Sequence, residues 1–330
     1  MYSQAISSSS PSCLIFLLDQ SFSMAESLPG STTTKAQALA DALNRSLVEL
    51  ISWAWHGATL GHYFDIGVLG YTTDRSGTPQ VRSLLPGPLA GRDLVSVVEL
   101  ANNPLAVDVC QSDDGSGNLI ELKFPIWYRV APTTTMLGTP TCAGLHRCRD
   151  IAAAWVATHA SSFPPAVVHV TDGEATDGDP EPAAEELKAV ATQDGNLLLC
   201  SWQLCALAKS TTIFPTAERP LAGDWARLLF RMSSVLPSQS RQLFEARGIP
   251  AGPGARCLAI NGDATQMLAL YRTDDEVMLT LDRDEPTATT SAVPTSGPRP
   301  PYRVPRCPAC DRKAPGLPGK RYCMVCDRTF

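Results

Sequence analysis

The sequence has no apolar run long enough to cross a bilayer. The run nearest the start, Cys13 to Leu18, falls far short of the roughly 20 residues a membrane helix needs. The segment before it carries no basic stretch, so no secretory leader is expected. Histidine is scarce, and the five present (His56, His62, His146, His159 and His169) are scattered. His169 lies inside an apolar run and reads as a satisfied core residue. Cys142 and Cys148 have only His146 close by in sequence, too little for a nucleophile and base. There is no glycine-rich loop followed by Lys-Ser/Thr and no Gly-x-Ser-x-Gly elbow, which removes the common nucleotide-binding and serine-hydrolase signatures. No internal repeat is present. Charge is modest at 18% with a net of −6, so the chain as a whole is not a nucleic-acid binder by charge.

Cysteine is not scarce: there are eleven. Four form two Cys-x-x-Cys pairs near the C-terminus. The other seven (Cys13, Cys110, Cys142, Cys148, Cys200, Cys205 and Cys257) sit among apolar neighbours and are odd in number. Buried reduced thiols in a cytoplasmic protein account for them more simply than disulfides do.

At 330 residues the chain has room for one large α/β domain and a small extra module. Apolar runs at Cys13–Leu18, Ala166–Thr171 and Asn196–Trp202 read as buried parallel strands, and Tyr63–Tyr71 as another. Between them lie helical patterns at Thr33–Trp55, Gly91–Leu100, Thr141–His159 and Glu181–Thr192, the last starting at Asp179 or Pro180. Asn102–Gly117 reads as loop and Leu119–Val130 as a strand. Helices at Asp224–Ser233 and Ser238–Arg247 and apolar stretches at Arg256–Ile260 and Gln266–Tyr271 close the domain. Strands alternating with helices predict a doubly wound, mostly parallel sheet. In such sheets ligands bind at the carboxyl ends of the strands, and two strands here run into aspartates, Asp19 and Asp172.

The division expected is a disordered stretch over 1–11, the α/β domain over 12–283, a linker over 284–305 and a small module over 306–330. The linker is rich in Pro, Thr and Ser and cannot bury enough surface to fold. Charge divides in the same place. From Arg299 onward there are eight Lys/Arg and two Asp/Glu, a local net of +6 that leaves −12 for the rest.

Asp19-x-Ser21-x-Ser23 follows a buried strand and precedes a helix. Carboxylate and hydroxyl oxygens are hard ligands, suited to Mg²⁺, Ca²⁺ or Mn²⁺ rather than zinc. If the loop stays extended, alternation puts all three side chains on one side. Taken alone, the same residues also serve as ordinary turn and cap chemistry.

The wider pattern resembles the metal-ion-dependent adhesion site of von Willebrand factor A (vWA) domains. Asp19-x-Ser21-x-Ser23 matches its first element, Gly138-Thr139-Pro140 its second and Val170-Thr171-Asp172-Gly173 its third, in order, over about Ser12 to Asp275. The resemblance implies a Rossmann-like fold. It also implies that Asp19, Ser21, Ser23, Thr139 and Asp172 hold the ion directly or through water, with one position left for a partner's Asp or Glu. Thr133, Thr134 and Thr135 do not fit the pattern and read as loop or cap residues; Asp177 and Asp179 read as solvated loop acids. The stretches Gly173–Pro180, Asp194–Leu199, Ile213–Pro215 and Leu229–Pro237 resemble a bacterial cytoplasmic branch of the tellurium-resistance-associated type. Such proteins are associated with a Ser/Thr protein kinase and a metal-dependent protein phosphatase, which implies a phospho-signalling or stress and defence role.

Cys307-Pro-Ala-Cys310 and Cys323-Met-Val-Cys326 are two metal-binding bites twelve residues apart. Four thiolates satisfy Zn²⁺, and so short a Pro/Gly-rich tail needs a metal to fold. Rubredoxin-like iron would use the same ligands but lacks its aromatic surroundings here. Arg306, Arg312, Lys313, Lys320, Arg321 and Arg328 offer a basic surface for nucleic acid or an acidic protein, with solvated charge the plainer reading. Tyr322 and Phe330 are able to stack on bases or to pack over the zinc.

The expectation is therefore a non-enzymatic adaptor that binds a partner's carboxylate through a divalent cation. The alternatives are a nucleic-acid-associated effector acting through the tail and a metal-dependent phosphoester hydrolase.

Overall fold

The computed structural model describes residues 2–28, 31–56, 59–113, 119–130, 138–204, 211–246, 248–261, 322–323 and 328–329. Two compact units are distinguished, residues 1–105 with 126–281, and residues 106–125 with 282–330.

The first unit is an α/β domain built on an eight-stranded mixed sheet. Its strands in chain order are β1 (Ser12–Asp19), β2 (Phe64–Thr73), β3 (Pro79–Ser83), β4 (Val95–Ser96), β5 (Ala166–Thr171), β6 (Leu198–Gln203), β7 (Thr212–Ile213) and β8 (Leu258–Ile260). The order across the sheet is β7-β8-β6-β5-β1-β2-β3, with β4 also paired to β2. Strands β8, β6, β5, β1 and β2 run parallel; β3, β4 and β7 are antiparallel at the margins. The chain moves outward from β1 to β2, then returns across β1 to β5. That reversal opens a crevice at the carboxyl ends of β1 and β5, the place where open α/β sheets bind ligands.

Six α-helices accompany the sheet among the described residues: α1 (Lys35–Trp53), α2 (Val97–Asn102), α3 (Thr141–Val156), α4 (Pro180–Lys188), α5 (Asp224–Met232) and α6 (Ser238–Ala246). β1 is buried along its whole length. Leu14, Phe16 and Leu18 pack with Leu39, Leu43, Leu47 and Leu50 of α1, while Cys13, Ile15 and Leu17 pack with Leu145, Cys148 and Ile151 of α3. This two-sided burial explains why the strand reads as a continuous apolar run. None of the described helices is long and apolar enough to cross a membrane.

Several boundaries move. The helix expected over Gly91–Leu100 begins only at Val97, where a capping box between Ser96 and Glu99 starts it. The helix expected to run to Thr192 ends at Lys188, and Ala191–Thr192 instead pairs with Gly195–Asn196. The N-terminal stretch expected to be disordered is held down. Ile6 is buried, the Asp194 carboxylate accepts hydrogen bonds from the backbone of Ser3 and Gln4, and the Tyr2 ring packs edge-on to Phe163.

Ala106–Asp113, which the sequence reads as loop, forms a two-stranded sheet with Leu119–Ile126, which lies within the expected strand. Val107 and Val109 are both exposed, so no buried face produces an alternating pattern. Tyr322–Cys323 and Arg328–Thr329 form a short antiparallel pair. The linker over 284–305, Cys307, Cys310, Cys326 and the apolar stretch Gln266–Tyr271 lie outside the described residues, as do Thr133, Thr134 and Thr135.

Candidate metal centre

Asp19 is the last residue of β1, and Asp172 directly follows β5. Their loops meet at the switch point. A Cβ placed on Gly173 would come within 4.0 Å of Ser23 Oγ, so the β1 and β5 loops are in contact there. The Ser23 hydroxyl donates to Asp172 Oδ1 at 2.7 Å, and Ser21 Oγ lies 3.0 Å from Ser23 Oγ. Asp19 Oδ1 accepts from the Ser21 amide at 2.8 Å, and Asp19 Oδ2 accepts from the Thr171 hydroxyl at 2.8 Å. Four of the five expected oxygen ligands thus belong to one hydrogen-bonded cluster.

The condition of an extended loop is not met. Ser21 is extended, but a 3₁₀ turn begins at Phe22, closed by Met24 N–H donating to the Ser21 carbonyl. That turn, rather than strand alternation, brings the two serine hydroxyls together. It also leaves the Phe22 ring 60% exposed between them.

Thr139 is not part of that hydrogen-bonded cluster. Its backbone is clamped to Thr176 in the β5 loop: the Thr139 amide donates to Thr176 Oγ1, and the Thr176 amide donates to the Thr139 carbonyl, both at 2.9 Å. A Cβ on Gly138 would stand 2.8 Å from Thr73 Oγ1 at the end of β2 and 3.0 Å from Thr176 Oγ1, so the chain passes there only without a side chain. Thr139 is buried.

Electrostatics separates the two acids. Asp19 is 2% exposed and has no cationic partner among the described residues. Burial lifts its pKa to about 6; hydrogen bonds from Ser21 pull down against that, and the Asp172 charge adds to the rise. The Asp172 side chain is fully enclosed, but Lys35 Nζ sits 2.7 Å from its Oδ2. Sequence reasoning missed Lys35, which reads as one more polar residue at a helix start. It also missed Thr171 as the partner of Asp19 and Thr176 as the anchor of Thr139. Asp177 is exposed, as expected of a loop acid, and its carboxylate also caps α3, accepting from the Cys142 and Ala143 amides at 3.1 and 2.9 Å. Asp179 caps α4 through the Glu181 amide.

The clustered donor set fits a hard divalent cation: two carboxylates, two serine hydroxyls and a buried negative charge on Asp19 without a counter-ion among the described residues. Among the described residues no group of three or more His, Cys, Asp and Glu side chains gathers as a metal site; here the donors beyond the two acids are hydroxyls. Of the sulfur ligands expected for zinc, only Cys323 falls on described backbone.

No protein-family model matches this chain, and no curated protein matches it. Among solved structures, it is similar to the three N-terminal domains of the type V pili tip protein Mfa5 from Porphyromonas gingivalis, at 17% identity and a TM-score of 0.28 over 50% of this chain and 20% of that one. It is similar to the human COPII-coat protein Sec24c at 11% identity and a TM-score of 0.34, over 69% of this chain and 28% of that one. The N-terminal domain of TFIIH p34 gives 14% identity and a TM-score of 0.27, over 59% of this chain and 80% of that one. The chain spans under a third of the length of the first two. Likenesses this distant carry no argument about the site.

Proposed function

We propose that the chain is a vWA-type adaptor whose switch-point cluster holds Mg²⁺, Mn²⁺ or Ca²⁺ and offers that ion to an acidic side chain of a protein partner. The observation that carries this reading is the Ser21–Ser23–Asp172 hydrogen-bonded chain joining the β1 and β5 loops. It gathers hydroxyl and carboxylate oxygens at the crevice where the strand order reverses. The donors are hard, few and partly neutral, so a bound ion keeps positive charge for an anionic ligand.

In this reading Cys307, Cys310, Cys323 and Cys326 bind Zn²⁺ in the tail. The adaptor works in the cytoplasm with a Ser/Thr protein kinase and a metal-dependent protein phosphatase, and the tail recruits a second partner. Affinity capture with wild type and Asp19→Ala, each with and without chelator, tests the central claim. Partner capture is expected only for wild type with the ion present; identical capture in all four conditions removes the reading.

A further inference from the structure

Lys35 is the first residue of α1, the end of a helix where positive charge is least welcome. It does not cap that helix; Thr34 does, by accepting from the Gln37 amide at 3.1 Å. Yet its side chain is only 4% exposed and its ammonium is fully engaged. Nζ lies 2.7 Å from Asp172 Oδ2, 2.8 Å from Glu26 Oε2 and 3.4 Å from the Ser23 carbonyl. Packing does not require this arrangement, because a buried lysine costs more than an apolar residue of the same length unless its charge is used.

The two oxygens of Asp172 are divided. Oδ2 is taken by Lys35, while Oδ1 faces Ser23 in the cluster of hydroxyls. Asp19 has hydrogen-bond donors but no cation. We propose that Lys35 is a built-in counter-ion that positions Asp172 and keeps the cation site assembled when no divalent ion is bound. This rests on the metal-binding reading above and adds to it a residue outside the expected ligand set.

The charge count follows directly. Asp19, Asp172 and Lys35 together carry one negative charge; Glu26, its side chain 63% exposed, shares its own with solvent. A divalent ion turns that to one net positive charge, which calls for an anionic ligand. With a neutral residue at 35 the loaded site would be balanced already, and the metal-free site would hold two uncompensated acids.

The test is thermal unfolding of the full chain with Mn²⁺ or with chelator, comparing wild type, Lys35→Met and Lys35→Arg, alongside Mn²⁺ titration by calorimetry. Lys35→Met is expected to lower the metal-free melting temperature by about 5–10 °C, the scale for a buried carboxylate stripped of its partner. Mn²⁺ is expected to recover most of that loss and to bind about tenfold tighter than to wild type, a neighbouring positive charge having been removed. Lys35→Arg should behave as wild type. A loss that Mn²⁺ does not recover, or a Mn²⁺ response equal to that of wild type, overturns the proposal. Should Lys35→Met not fold, Lys35→Gln takes its place: a larger Mn²⁺-induced shift than wild type supports the proposal, and an equal shift overturns it. Failure of the underlying reading looks different, since then neither wild type nor Asp19→Asn responds to Mn²⁺ at all.

Discussion

The Tyr71 hydroxyl stands 2.8 Å from His169 Nε2 in the interior of the domain. Tyr71 is the register partner of Asp19 across β1 and β2, and Thr171, two residues beyond His169, donates to Asp19. With the imidazole proton on Nε2, His169 donates to the Tyr71 oxygen. His169 Nδ1 is then a bare acceptor, and it is indeed without a partner among the described residues. An unmet acceptor is a smaller penalty than an unmet buried N–H. The histidine expected to be satisfied in the core is satisfied on one side only.

This arrangement predicts acid sensitivity. Burial holds the His169 pKa down to about 4, against about 6.5 in an unfolded chain. Between those values the unfolded state binds the extra proton, so stability falls as pH falls. The contribution is complete above about pH 6.5, and about 3 kcal/mol of it is lost by pH 4. His169→Gln keeps a partner for Tyr71 and should flatten that segment of the stability-versus-pH curve. Denaturant titrations from pH 7 to 4 measure it; an unchanged slope in the variant would show that other groups set the acid limb.

Asn44 predicts a large loss. Its carboxamide oxygen accepts from the amides of Trp127 and Tyr128 at 2.9 and 3.1 Å, and its nitrogen donates to the Tyr128 carbonyl at 2.8 Å. Asn44, Trp127 and Tyr128 are all buried. Asn44→Ala strands three backbone groups, each costing about 1–3 kcal/mol, so a total above about 3 kcal/mol is expected from urea unfolding. The consequence reaches the β1 loop, because the Tyr128 hydroxyl accepts from Gln20 Nε2 at 3.1 Å. A loss under about 1 kcal/mol would mean that water replaces the carboxamide.

What the sequence made legible follows from burial. β5 is read at its observed bounds because Ala166–Thr171 is covered on both faces, and the aspartates that end such runs stand out against apolar neighbours. Lys35, Thr171 and Thr176 were not legible because their partners are distant in sequence: Lys35 and Asp172 are 137 residues apart. The capping role of Asp177 was not legible because the helix it caps begins 36 residues before it, Thr141–Val156. The strand Ala106–Asp113 escaped notice because periodicity records a buried face, and this strand exposes Val107, Asp108 and Val109 in succession.

The C-terminal cysteines give a prediction independent of the crevice. The second Cys-x-x-Cys begins on the strand Tyr322–Cys323, and the chain returns as Arg328–Thr329. Cys-x-x-Cys spacing lets two thiolates share one ion. Metal analysis of the purified full chain should find about one zinc per chain, lost in Cys323→Ser. Retention of zinc by that variant would remove Cys323 from the ligand set.

Gly138 links backbone geometry to the site. An added methyl would press on Thr73 Oγ1 at 2.8 Å and on Thr176 Oγ1 at 3.0 Å. Thr176 is the residue that clamps Thr139 through paired backbone contacts, so the clash cannot be relieved without moving Thr139 or its anchor. Gly138→Ala is expected to cost about 1–3 kcal/mol, the usual range for overpacking, and to weaken Mn²⁺ binding more than that loss of folding stability alone explains. Thr139→Ala removes the hydroxyl and leaves the backbone clamp in place, so it should weaken Mn²⁺ binding with little change in melting temperature. If Gly138→Ala lowers stability but binds Mn²⁺ as wild type does, Thr139 does not depend on that clamp for its position. If Thr139→Ala also binds normally, its hydroxyl is not a ligand, and the site rests on Asp19, Ser21, Ser23 and Asp172 alone.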